Sequence, residues 1–372
     1  MKVLFAVGGL PFGGIENFLF DVSLELRKRD IDFVIANISG TGEKTKDFLE
    51  ASLPVINLGV SKKDLKTFKI STALKLRRLI KNYQPNIIHS MQFSADYFSR
   101  ISSIGLSFPK IITYIQSIRR EKRRERRFLN KLLSYKTDVF LSASKAIFDV
   151  VEKDHNIAGR PHYVLYNAIN PSRFKYRCEL PECLTFNNEL KYIICVGRLV
   201  KLKNFDVAIK AFAILEKKLP NVKLIIVGEG GERKNLEALI DKLGLSRKVV
   251  LTGYLSNVFP VIRKAHIFLM PSSFEGFPIA HLEAMYAGLP AVISPYVPSQ
   301  EVASECSLIV PIDPEKIAKA LSRLLTDEQL YKKLSLKAKE IAKQFTIERY
   351  VDKLLDLYDG ILSGKLPSRM VL

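Results

Sequence analysis

No stretch of this 372-residue chain reaches the roughly 18 to 20 uninterrupted apolar residues that a membrane-crossing helix needs, which argues against a spanning segment. Cysteine is scarce. Cys178, Cys183, Cys195 and Cys306 show no C-x-x-C spacing for zinc and are too few for a disulfide framework, so a reducing cytoplasm is the expected setting. Acidic residues are also in deficit, 38 against 58 Lys and Arg, for a net charge of +20. Residues 1–175 hold 30 of the basic and 16 of the acidic residues, so most of the excess lies in the first half. Such a field favours phosphate-rich partners: nucleic acid, anionic lipid or a nucleotide. There is no short tandem repeat. The opening "MKVLFAVGGLPFGGIENF" breaks into glycines and an acid where a signal peptide would need a small-residue cleavage site, and reads as a first strand.

What is present is a rhythm. Hydrophobic residues make up 47% and charged residues 26%, a globular profile, and the length suits two domains. In the first half the runs "KVLFAVGG", "DFVIANISG", "PVINLGV", "NIIHSMQ", "KIITYIQS", "DVFLSAS" and "YVLYNAI" alternate with amphipathic or basic segments. In the second, "YIICVGRL", "KLIIVGEG", "VVLTGYL", "IFLMPS", "PAVISP" and "LIVPID" do the same. Short β-branched runs between helical segments predict parallel sheets with crossover helices. The expected domains are 1–170 and 191–345, joined by an aperiodic linker at 171–190, with a last helix at about 346–372 packing back on the first domain. Ligands in such sheets bind beyond the carboxyl ends of the strands.

The segment "SSFEGFPIAHLEAMYAGLPAVIS" (272–294) carries Glu275 and Glu283 around a predicted helix start, with Pro278 suited to the first helical position. Eight helical residues rise about 12 Å, too far for both acids to grip one atom, but suitable for two ends of an extended ligand. Carboxylates are acceptors that suit sugar hydroxyls, and backbone N–H groups near Gly276 and Phe277 suit an anion. Upstream, "CVGRLVKLKNFDVAIKAF" places Arg198 after a strand and Lys203 before a helix, a clamp for a departing diphosphate.

In this order, "GGIENFLFDVSLELRKRD", "GRLVKLKN", "IIVGEGGERKNLEALIDKLGL", "VVLTGYL" and "FEGFPIAHLEAMYAGLPAVIS" resemble the group 1 retaining glycosyltransferases. The resemblance covers nearly the whole chain and is most specific over 191–301. It implies an α/β protein of two facing Rossmann-like domains (the GT-B fold). It also implies a UDP- or GDP-linked sugar as co-substrate, held by the C-terminal domain, with no further cofactor. Arg198 and Lys203 match the diphosphate-binding pair, Glu275 the acid that holds donor-sugar hydroxyls, and Glu283 the acid that holds the ribose. Gly228 and Tyr254, within the quoted motifs, are assigned to the donor side. Gly13 and Gly14 fit the glycine loop after the first strand, where backbone can approach the diphosphate and the acceptor closely, and are assigned to donor binding. His89 matches a strand-end histidine on the sugar or acceptor side, although a lone histidine there could equally be packed and hydrogen-bonded for structure. Gln116 stands where related enzymes often carry a histidine. That departure weakens any proton-transfer role there, although the leaving phosphate can itself accept the acceptor's proton. The pair Asp30 and Asp32 falls at a helix-to-strand turn on the wrong side of the sheet, and no metal is expected.

The basic run "SIRREKRRERRFLNKLLSYK" (117–136) ends in an apolar stripe of Phe128, Leu129, Leu132 and Leu133. From the residues alone it fits a solvated helix packed by that stripe as well as an interfacial one; given the resemblance, with Arg123, Arg124, Arg126 and Arg127 it is expected to attach the protein peripherally to an anionic membrane surface, on the inner face of the plasma membrane. The expected activity is transfer of a hexose-type sugar to a glycan or lipid-linked glycan in cell-surface polysaccharide biosynthesis. The alternative is a catalytically idle relative that only binds. A nucleotide-sugar epimerase would need an acid and histidine pattern that is absent, and a nucleic-acid binder would interleave aromatics with the basic run.

Overall fold

The structure, a computed structural model, describes residues 1–61, 64–65, 69–117, 124–155, 157, 159–174, 180, 184–367 and 371–372. The chain divides into two compact units, Met1–Ala168 with Ile347–Leu372, and Ile169–Thr346.

The first unit holds a seven-stranded parallel sheet: β1 (Lys2–Val7), β2 (Asp32–Asn37), β3 (Val55–Asn57), β4 (Ile87–Met91), β5 (Lys110–Ile115), β6 (Val139–Ser142) and β7 (His162–Val164). Their order is β3-β2-β1-β4-β5-β6-β7. The interior of β1, β2, β4 and β5 is buried, which explains why their sequences are nearly continuous apolar runs rather than alternating ones. The helix Ile347–Ser363 completes this unit. Its Tyr350 packs edge-on against Phe18 of the helix Gly14–Lys28 at 4.8 Å, Asp352 pairs with Arg29, and the buried Tyr358 hydroxyl lies 2.7 Å from His89 Nδ1.

The second unit holds six parallel strands: β8 (Lys191–Val196), β9 (Val222–Val227), β10 (Val249–Gly253), β11 (Ile267–Met270), β12 (Ala291–Ile293) and β13 (Ser307–Ile309). The order is β10-β9-β8-β11-β12-β13. The helix Phe205–Glu216 buries Phe205, Ile209 and Phe212 on one sheet face, while Phe259, Ile262 and Leu289 fill the other. Burial of each such side chain contributes about 1.5–3 kcal/mol.

All thirteen apolar runs read from the sequence are strands, and both units have the doubly wound architecture the resemblance implies. The described residues of the expected linker belong to the second unit. Phe174 packs against Phe259 with ring centres 3.7 Å apart and the rings tilted by 43°, and Leu184 is buried in the same core. In each sheet the strand order reverses once, between β1 and β4 and between β8 and β11. These switch points open crevices at the carboxyl ends of the strands.

Candidate active site

Four loops converge at the carboxyl edge of the second sheet. The Gly228 N–H donates to Gly253 O at 2.9 Å, and a Cβ on Gly228 would lie 1.9 Å from Gly197 O. The Leu199 N–H donates to Glu229 O at 2.9 Å, and a Cβ on Gly230 would fall 2.4 Å from Leu199 O. Only glycine permits backbones to approach this closely. The loops after β8, β9 and β10 therefore form one laced layer, and Tyr254 stands exposed at its margin.

Across the switch point the loop after β8 is tied to the loop after β11. Asn204, in the left-handed region at φ 50°, starts the helix Phe205–Glu216, and its side-chain amide donates to Pro271 O at 2.9 Å. The Ser273 N–H donates to Leu202 O at 2.8 Å. This arrangement brings Lys203 and Glu275 together as an ion pair of two largely buried side chains. The Lys203 ammonium lies over Gly197, where an added Cβ would sit 3.1 Å from Nζ. Arg198 projects exposed from the same loop, and its side chain makes no hydrogen bond or ion pair among the described residues.

The helix Ile279–Ala287 begins with Pro278 as its N-cap, one residue later than expected. Glu275 is thus a loop residue and Glu283 lies in the helix, half-buried. The N–H groups of Glu275 and Gly276 donate to no acceptor among the described residues, and the buried Ser272 hydroxyl also lacks a partner there. A cation pair, open N–H groups and an unpartnered hydroxyl at a helix N-terminus suit an anionic ligand. The Phe277 ring is buried, 6.2 Å from the ring of Phe345, so its side chain supports the loop from beneath.

At the first unit's switch point, the loop Gly8–Gly13 links β1 to the helix Gly14–Lys28. Gly13 is the N-cap in extended conformation and Gly14 opens onto empty space. Gln116 follows the end of β5, 9% exposed, with both side-chain amide atoms buried and unpartnered among the described residues. His89 differs from expectation. It sits in the middle of β4 and not at its end, between Phe5, Tyr114 and Tyr358, and burial holds its pKa down at about 3. It is a neutral core residue, and its Nε2 is buried without a partner among the described residues. Asp30 lies just before β2 and Asp32 is its first residue, at the amino end of the sheet, where the Tyr83 hydroxyl donates to Asp32.

Two family profiles account for most of the chain: "Glycosyltransferase Family 4" matches residues 12–173 and "Glycosyl transferases group 1" matches residues 178–341. The chain belongs to the group 1 glycosyltransferases. An uncharacterized glycosyltransferase of Haemophilus influenzae is 27% identical over 360 residues, covering 94% of this chain and 96% of its own. The N-acetylgalactosamine-N,N'-diacetylbacillosaminyl-diphospho-undecaprenol 4-alpha-N-acetylgalactosaminyltransferase of Campylobacter jejuni is 32% identical over 223 residues, 59% of each chain. Among solved structures, Anabaena HepE in complex with UDP superposes with a TM-score of 0.81 at 18% identity, over 97% of this chain and 100% of its own, a likeness of fold.

The sequence reading of this glycosyltransferase missed Glu16 and Gln92. Glu16 is the third residue of its helix after the Gly13 cap, a position from which a carboxylate commonly reaches back to the helix start, and that spacing was a readable signal. Gln92, just after β4, carried none. Arg123 lies outside the described residues, as do the side chains of Arg124, Arg126 and Arg127. On the helix Arg124–Leu133 the expected apolar stripe divides. Leu129 and Leu133 pack into the core, whereas Phe128 and Leu132 are 65% and 57% exposed.

Proposed function

We propose that this glycosyltransferase moves a hexose-type sugar, with retention, from a UDP- or GDP-linked donor to a glycan or lipid-linked glycan of the cell surface. The observation that carries this reading is the Lys203–Glu275 pair at the β8/β11 switch point, beside the open N–H groups of Glu275 and Gly276. Lys203 and Arg198 stabilise charge on the diphosphate as the bond from its oxygen to the sugar's anomeric carbon breaks. Glu275 accepts from donor-sugar hydroxyls and Glu283 from the ribose. The acceptor oxygen bonds to the anomeric carbon on the face the diphosphate leaves, and its proton passes to a diphosphate oxygen. Gln116, an amide, cannot take that proton but can both donate to and accept from a sugar hydroxyl.

The test is a panel of nucleotide sugars assayed for nucleoside diphosphate release. We expect turnover with UDP- or GDP-sugars that EDTA leaves within twofold, because Arg198, Lys203 and a helix N-terminus supply the charge stabilisation. No release with any donor would favour an idle relative, and loss with EDTA restored by magnesium would overturn the metal-free reading.

The same proposal places the enzyme peripherally on the cytoplasmic face of the plasma membrane. Exposed Phe128 and Leu132 stand on a helix at the end of the basic run. Each Lys or Arg near an anionic leaflet contributes about 1 kcal/mol, so the apolar pair and the charges together suffice for reversible attachment. The protein is expected to float with anionic but not neutral liposomes. Phe128→Ser with Leu132→Ser should reduce flotation at least fivefold with nucleotide binding intact, and added salt should reduce it further. Absence of flotation with anionic liposomes would remove the attachment.

A further inference from the structure

Gln92 occupies a backbone conformation that favours glycine, φ 91° and ψ 145°, yet it is a long polar residue. Such strain persists only where surrounding contacts over-determine it, and it clusters at functional sites. The contacts are specific. The side-chain carbonyl of Gln92 accepts from the Gly8 N–H at 3.2 Å, and its NH2 donates to Glu16 Oε1 at 2.9 Å. Glu16 is buried in the first turn of the helix Gly14–Lys28, and its Oε2 lies 2.3 Å from where a Cβ on Gly13 would be. A Cβ on Gly8 would lie 2.4 Å from Ser94 Oγ. Gln92 and Glu16 therefore touch the two ends of the loop Gly8–Gly13, across the β1/β4 switch point. The loop's middle is held elsewhere, by Leu10, whose N–H donates to Thr41 O at 3.1 Å. A plain helix cap would need Glu16 alone and would leave the strain at Gln92 without a return.

We propose that Gln92 and Glu16 are positioning residues that brace the Gly8–Gly13 loop in the conformation in which its backbone meets a sugar substrate. This rests on the reading of the first unit as the acceptor side of a glycosyltransferase. Glu16 is ill placed to touch a phosphate itself, since it carries like charge. Its role is to fix the Gln92 amide, which fixes Gly8.

Three variants of the full chain test the brace. Gln92→Gly removes the side chain and relieves the backbone. We expect its melting temperature to stay level or rise while transfer falls at least tenfold, the fall residing in kcat and the acceptor KM. Affinity for UDP or GDP should stay unchanged. A residue serving stability alone would move the other way. Gln92→Glu sets two carboxylates against each other and should be as impaired. Adding Glu16→Gln to Gln92→Glu restores one acid and one amide with their roles exchanged, since the new carboxylate accepts from both Gly8 N–H and the new amide. It should recover transfer to within threefold of the parent. Hydrogen exchange over residues 8–13 should quicken in Gln92→Gly and return in the exchanged pair. That measurement needs no substrate, so it decides the brace even if the parent transfers no sugar, in which case the functional reading fails and not the brace. Gln92→Gly with full transfer and unchanged loop exchange would overturn the proposal, as would a folded exchanged pair that recovers neither.

Discussion

Replacing Arg198 and Lys203 together by alanine is expected to lower transfer by about 10²–10³-fold, the loss typical when a group stabilising developing charge is removed. Each charge-assisted contact to a ligand is worth about 1.5–3 kcal/mol. Nucleoside diphosphate affinity should therefore fall by about 10²-fold or more in calorimetry with UDP and GDP. Unchanged affinity would remove both residues from the site. The ion pair refines the expectation. The Lys203 ammonium is committed to Glu275, so a diphosphate must compete for it. Glu275→Gln frees Lys203 and removes a negative charge from the site. Transfer should fall by about 10²–10³-fold as the acid is lost, while nucleoside diphosphate binds as well as to the parent or better. A loss of both would mean that Glu275 acts only by holding the loop.

The second large effect is on stability. Gly228→Ala should lower the melting temperature of the second unit by about 5–12 °C, because a methyl group 1.9 Å from Gly197 O must displace backbone. Gly228 also has φ 145°, so the new side chain meets strain besides the collision, and overpacking plus strain sum to about 2–4 kcal/mol. Gly231→Ala is the control, since nothing lies within 4 Å of its Cβ position. It should melt within a degree or two of the parent. Nucleotide binding should weaken in Gly228→Ala, since Gly197 carries the backbone beneath Lys203. Equal melting of the two variants, by differential scanning fluorimetry or calorimetry, would show that the laced loops give way without cost.

How far these features could be read in advance depended on how local their causes are. Strands announce themselves through a handful of neighbouring residues, and both sheets followed from such runs. The placement of Arg198, Lys203, Glu275 and Glu283 in strand-end loops or the helix just beyond them was similarly legible, because each follows from the pattern of its own neighbours. That Lys203 and Glu275 pair was not, since 72 residues separate them. The enclosure of His89 was hidden for the same reason: its partner Tyr358 lies 269 residues downstream, beyond any pattern of spacing. The stripe at Phe128, Leu129, Leu132 and Leu133 spans too wide an arc for periodicity to say which edge is buried, and the fold chose Leu129 and Leu133. Gln92 was invisible because its significance is a dihedral angle.

The helix Ile347–Ser363 gives the chain an unusual order of completion. A ribosome delivers residues 169–346 in full before it delivers Tyr350 and Tyr358, which the first unit needs to close over Phe18 and His89. The usual tendency of the N-terminal part to finish first is thus reversed here. Residues 1–168 wait with a core surface uncovered until that helix arrives, and damage within residues 347–363 is felt at Phe18 and His89.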